Sequence, residues 1–149
     1  MMYFVDGEQL QKRLQYLEYL LKTFSEQGKC EGEINKIALE RIVQMYIEAT
    51  IDVGNQLIDG FIMRDPGSYH DVVDILVDEK VINHEDGEGL KRLINWRKPL
   101  MQQYMTIDHV QLYDGFKQEM NILLRFCGRV RAYVEREIGT VNAFLPQSE

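Results

Sequence analysis

The stretch EINKIALERIVQMYIEATIDVGNQLIDGFIM, residues 33–63, decides the fold class. Read as one helix it is roughly 45 Å long at about 1.5 Å per residue. Ile34, Ile42, Met45, Tyr46, Val53, Leu57, Ile58, Phe61 and Ile62 spread over most of its circumference. Arg41, Gln44, Glu48, Asp52, Asn55 and Asp59 instead gather in one narrow stripe of about 80°. A helix so widely apolar lies at the centre of a bundle or at a subunit contact. The polar stripe admits two readings: it is the solvated face of that helix, or Glu48, Asp52 and Asn55 line a cleft.

The flanking segments are also helical in period, and no alternating run suggests a strand. Upstream, Asp6 can cap a helix from Gly7 to about Glu26, with Leu10, Leu14, Leu17, Leu20, Leu21 and Phe24 on one side. Downstream, Asp65-Pro66-Gly67 ends the long helix, and Ser68 with Asp71 forms a capping box for a short third helix reaching Glu79. A fourth helix starts near His84 to Asp86 and carries Leu90, Leu93, Ile94 and Trp96. Asp108 with Gln111 caps a long fifth helix, with a stripe of Val110, Tyr113, Phe116, Met120, Leu124, Cys127, Val130, Val134 and Ile138, that Gly139 stops. The expectation is an all-α fold: one domain, residues 1–149, built as an antiparallel four- to five-helix bundle.

Composition narrows the function classes. Hydrophobic residues make up 45% of the 149-residue chain, yet no run approaches the roughly 20 apolar residues of a membrane span. Residues 1–8 lack the basic and apolar regions of a secretory signal. Cys30 and Cys127 stand far apart and outside any metal-binding spacing; they could pair once, but sparse thiols fit a reducing cytoplasm better. The net charge of −7 divides unevenly, −10 over residues 1–90 and +3 over residues 91–149. A protein tracking many phosphates would be basic throughout, so any RNA contact is local and C-terminal.

The run Trp96-Arg97-Lys98-Pro99-Leu100-Met101-Gln102-Gln103-Tyr104 departs from bundle economy. Arg97 and Tyr104 share a face if the helix continues, and Pro99 bends or loosens the turn between them. Packing and site are both open readings of this run on its own. The spacing Arg97-x4-Gln102-x-Tyr104 resembles the Arg-x4-His-x-Tyr motif of HepT-like proteins, the DUF86 branch of the HEPN superfamily. Ile47-Glu48-Ala49-Thr50-Ile51-Asp52-Val53-Gly54-Asn55 is similar to the second-helix signature of that family. Pro66-Gly67-Ser68-Tyr69, Asp74-Ile75-Leu76 and Lys80-Val81-Ile82 resemble its next connection and third helix. The likeness spans residues 34–104 in order and is nearest to the UPF0331, YutE-like group.

The resemblance implies a homodimer in which the motif helices of two protomers meet in a cleft. It implies a metal-independent endoribonuclease toxin, without a cofactor, paired with a small nucleotidyltransferase (MntA-like) antitoxin that adenylylates the motif tyrosine, here Tyr104. It assigns the site to Arg97, Gln102 and Tyr104. An arginine can hold a phosphate bidentately and stabilise its growing charge. A histidine can move the 2′-hydroxyl or leaving-group proton. In this chain the histidine position is Gln102, which donates and accepts hydrogen bonds but has no accessible proton equilibrium. The departure predicts weak or lost cleavage. It leaves an alternative from another class, a non-enzymatic module that binds RNA, a nucleotide or a partner protein in the same cleft.

Of the three histidines, His70, His84 and His109 all fall at helix starts, where solvated or capping roles are expected. His109 is nearest the motif along the chain. Lys91, Arg92, Arg97 and Lys98 form one basic cluster; Arg125, Arg129, Arg131 and Arg136 form a second, which suits the negative end of a helix. Gly54, Gly60 and Gly128 inside helical patterns mark candidate points of close helix approach.

Overall fold

Short polar side chains start the helices where the sequence places them. The computed structural model describes residues 6–28 and 31–144, with side chains described through Gly139; Cys30 lies outside the described residues. Asp6 accepts the Gln9 amide at 3.0 Å and opens α1, Gly7–Gln27. Helix α2 spans Glu33–Gly60. Ser68 accepts the Asp71 amide at 3.0 Å to open α3, Tyr69–Asp78. Asn83 does the same for α4, His84–Ile94, through the Asp86 amide at 2.8 Å. A six-residue helix α5, Arg97–Gln102, and a 3₁₀ turn at Tyr104–Thr106 follow. Asp108 caps α6, His109–Gln118, and α7 runs over Met120–Phe144.

The wide apolar girth of α2 is buried from Leu39 to Ile58, while Ile34 and Ile37 at its start stay exposed. It packs against α1, α3, α5 and α6, while α7 closes the bundle against α1 and α4. Tyr46 of α2 is wholly buried; its hydroxyl donates to the Leu123 carbonyl of α7 at 3.1 Å, and its ring meets Phe116 edge-on at 5.7 Å. At Gly54 an added Cβ would stand 2.5 Å from Val72 Cγ1, so α3 sits directly on the α2 backbone. Gly128, in contrast, faces open space.

The structure departs from the sequence expectation at five places. Helix α2 stops at Gly60 rather than near Met63: Ile62 takes a left-handed φ of 56°, and the Met63 amide returns to the Ile58 carbonyl at 2.9 Å. The fourth helix divides at Asn95 and Trp96, and α5 ends at Gln102 before the 3₁₀ turn, so Arg97 and Tyr104 do not share one continuous helix. The fifth divides at Glu119, and α7 continues past Gly139 to Phe144. Its buried residues are Leu112, Phe116, Ile122, Leu123, Phe126, Cys127, Val130 and Tyr133, so Phe116, Cys127 and Val130 of the expected stripe are buried while Val110 and Leu124 are largely exposed. Glu119 is buried as well, because Arg92 of α4 grips both of its oxygens at 2.8 and 2.9 Å. An unpaired carboxylate there would carry a large desolvation cost.

Three of the four arginines in the second basic cluster are likewise spent on pairing between helices. Arg125 and Arg129 reach the buried Asp86 at 2.6 and 3.3 Å, and Arg131 grips Glu18 of α1 at 2.8 and 2.9 Å. Among the described residues no helix is long and apolar enough to cross a membrane.

Candidate functional site

The break after α4 builds the site. Trp96 packs against the core over Gly115, where an added Cβ would meet the indole Nε1 at 3.0 Å. With the chain turning there, Pro99 falls in the first turn of α5, where its missing N–H is among the donors a helix start leaves free anyway. The Pro99 carbonyl still accepts the Gln103 amide at 2.9 Å. Proline is thus accommodated and does not kink a longer helix.

Arg97 opens α5 and is held from two sides. Its Nε donates to Glu48 Oε2 of α2 at 2.7 Å, and its guanidinium carbon lies 4.2 Å from the centre of the Tyr69 ring of α3. The Glu48 hydrogen bond raises the Arg97 pKa, so the guanidinium stays charged throughout the physiological range. Its two terminal nitrogens have no hydrogen-bond partner among the described residues. A carboxylate on Nε and an aromatic face therefore fix the plane while the bidentate edge stays open.

That edge belongs to a cleft of about 550 Å³ between the start of α3 and α5, lined by Ser68, Tyr69, His70, Arg97, Lys98 and Gln102. Its size falls in the roughly 300–1,000 Å³ range of small-molecule sites. Lys98 makes no ion pair among the described residues, so the cleft carries a second uncommitted cation. Gln102 lines it as an exposed side chain.

Tyr104 is not among the residues that line this cleft. It is 61% exposed in the 3₁₀ turn, and the tyrosine against Arg97 is Tyr69. Of the polar stripe on α2, Glu48 reaches the arginine, while Asp52 and Asn55 line a separate hollow of about 480 Å³ with Asp6, Arg13 and Asp59. The stripe therefore serves two places. Sequence reading gave His70 a solvated or capping role and did not foresee that it lines this cleft or that Tyr69 stacks on Arg97. Their signal lay in the Pro66–Tyr69 connection, but only packing turns the start of α3 toward Arg97. Among the described residues no three His, Cys, Asp or Glu side chains stand together as a metal site.

Comparison with known proteins places this arrangement. Residues 10–130 match the family described as Ribonuclease HepT-like. A protein of Bacillus subtilis (strain 168) named "Putative RNase YutE" is 48% identical over 143 residues, covering 96% of this chain and 99% of that protein. The solved structure of the cytosolic protein YutE from Bacillus subtilis superposes with a TM-score of 0.90 at 46% identity, over 99% of each chain. A chain from a crystal structure of a toxin–antitoxin with AMP-PNP gives a TM-score of 0.77 at 14% identity, covering 85% of this chain and 99% of that one, a likeness of fold alone. The match over residues 10–130 and the 48% identity along nearly the whole chain agree: the chain belongs to the Ribonuclease HepT-like family.

Proposed function

We propose that the protein is an endoribonuclease of the HepT type that cleaves RNA without a metal and is slowed by Gln102 at the motif histidine position. The observation that carries this reading is Arg97, fixed by Glu48 and Tyr69 with its bidentate edge open to the cleft. Such an edge suits a phosphodiester whose charge grows in the transition state. Lys98 adds a positive charge beside it. The test is a single-turnover assay on RNA with wild type, Arg97→Ala, Gln102→His and the double variant. Wild type should cleave slowly and Arg97→Ala not at all. Gln102→His should cleave faster, by up to the roughly 10²–10⁴ that general acid–base catalysis supplies. Cleavage unchanged by Arg97→Ala would place the site elsewhere.

A second reading, a module that binds RNA, a nucleotide or a protein without cleaving it, is favoured by Gln102 itself, which has no ionisation near neutral pH to serve as acid or base. A folded but inactive Gln102→His protein that retains RNA binding would select it.

On the first reading the working unit is a homodimer with a nucleotidyltransferase antitoxin as partner. Support for the dimer comes from apolar side chains left in water: Ile34 at 83% and Ile37 at 66% exposure continue the polar stripe at the start of α2. Support for modification comes from Tyr104, whose ring is 61% exposed and so within reach of an adenylylating enzyme.

A further inference from the structure

The three histidines have different surroundings. His109 is part-buried and its Nε2 lies 2.6 Å from Glu40 Oε2, a pairing between α6 and α2. His84 lines a separate hollow of about 300 Å³ beside Arg129. His70 lines the same cleft as Arg97, Lys98 and Gln102, is exposed, and has no hydrogen-bond, ion-pair or ring partner among the described residues.

We propose that His70 is the proton-transferring catalytic residue of this cleft, supplying from the start of α3 the imidazole that Gln102 does not; this rests on the reading that Arg97 holds a scissile RNA phosphate. The geometry that supports it is the position of His70 one residue beyond Tyr69, whose ring is the face on which Arg97 lies. The segment that carries His70 is also held firmly. Ser68 caps the Asp71 amide at 3.0 Å, the Gly67 amide donates to Asp71 at 2.8 Å, and Arg64 grips both Asp71 oxygens at 2.9 and 3.0 Å. A catalytic group on a fixed helix start keeps the positional accuracy that proton transfer needs.

In the reaction the neutral imidazole of His70 takes the proton of the 2′-hydroxyl as its oxygen bonds to phosphorus. The bond from phosphorus to the 5′-oxygen breaks, its electron pair leaves with that oxygen, and water protonates it. The hydroxide so formed takes the proton from His70. The products are a 2′,3′-cyclic phosphate and a 5′-hydroxyl, with nothing oxidised or reduced. Arg97 stabilises the extra negative charge, and Gln102 is left to hydrogen-bond the substrate.

The experiment compares single-turnover cleavage of one RNA oligonucleotide by wild type, His70→Gln, His70→Ala, Arg97→Ala and Gln102→His, with binding of a 2′-deoxy version of the same oligonucleotide measured in parallel. The exposed position of His70 means both substitutions should fold, which their unfolding midpoints check. His70→Gln should lower the cleavage rate by about 10²-fold or more with binding of the deoxy analogue unchanged. Added imidazole should restore part of the rate to His70→Ala. Slow wild-type cleavage that disappears in Arg97→Ala but persists in His70→Gln would overturn the assignment and leave the cleft reading intact. A loss confined to binding would overturn it equally, since His70 would then be a contact rather than a proton carrier. Inactive wild type beside active Gln102→His would also reject His70 alone. Inactivity of every protein would reject the His70 assignment together with the cleavage reading on which it rests.

Discussion

Arg97 and Arg131 show how the same side chain serves two ends. Each is gripped by a glutamate from another helix, Glu48 and Glu18 respectively. Arg131 meets its carboxylate with two nitrogens and is spent on joining α7 to α1. Arg97 gives up only Nε and keeps its fork for a ligand. The Arg131 hydrogen bond lowers the Glu18 pKa below its ordinary 4.5. A carboxylate with a depressed folded pKa stabilises the fold fully above its unfolded pKa and loses that contribution as pH falls through the folded value. Glu18→Gln should therefore lower stability near neutral pH, by about 0.2–1 kcal/mol for so exposed a pair. The gap to wild type should close as the pH falls below about 4.5. Urea unfolding of the two proteins at about pH 7 and about pH 3 checks this; a gap that persisted in acid would assign the effect to something other than the charge.

Helix α2 is governed by two positions, one where it touches and one where it ends. At Gly54 a methyl group would stand 2.5 Å from Val72 Cγ1, and the branched valine cannot swing away freely. Gly54→Ala should therefore destabilise the protein despite the ~1 kcal/mol that alanine gains in helix propensity. Overpacking costs about 1–3 kcal/mol, so a net loss near 1 kcal/mol is expected in thermal or urea unfolding. Ile62 presents the opposite case. It ends the helix with φ at 56°, a region that costs a residue with a Cβ about 1–2 kcal/mol, and its side chain is 57% exposed. Ile62→Gly should raise the unfolding midpoint, by less than the full strain because glycine also frees the unfolded chain. A lower midpoint would mean that the half-covered isoleucine side chain outweighs the strain.

The bundle pairs its buried charges internally and leaves two isoleucines in water at the start of α2. Asp86 and Glu119, both nearly inaccessible, are each tied to arginines that cross between α4 and the later helices. The C-terminal excess of basic residues is thereby largely consumed by structure. The uncommitted cationic groups at the cleft reduce to Lys98 and the open edge of Arg97. Ile34 and Ile37, at 83% and 66% exposure, lie instead on the outward stripe of α2. A homodimer through this face would bury more than about 2,000 Å² if it is of the obligate kind. Ile34→Asp combined with Ile37→Asp should convert the dimer to a monomer by light scattering, while the exposed positions leave the helical content intact. A wild-type protein that is already monomeric at micromolar concentration would refute the dimer.

Helix identity was written into the chain. Apolar spacing and the caps Asp6, Ser68 and Asp108 are local properties, each decided by a side chain within three residues of the amide it serves. The pattern Arg97-x4-Gln102-x-Tyr104 was equally legible, because a motif is a matter of spacing. What the sequence could not yield was anything that joins distant segments. The buried stripe of α6 and α7 was obscured by Glu119, a charge that looks misplaced until Arg92 arrives from 27 positions away. The split before Arg97 was hidden because Trp96 is drawn into the core over Gly115, a contact between separate helices. The same holds for the cleft. Glu48 lies 49 positions from Arg97, and Tyr69 and His70 sit on a third helix. Local propensity fixes where a helix begins, but desolvation of paired charges and close packing across helices fix which side chains share a site, and those energies exist only once the chain has folded.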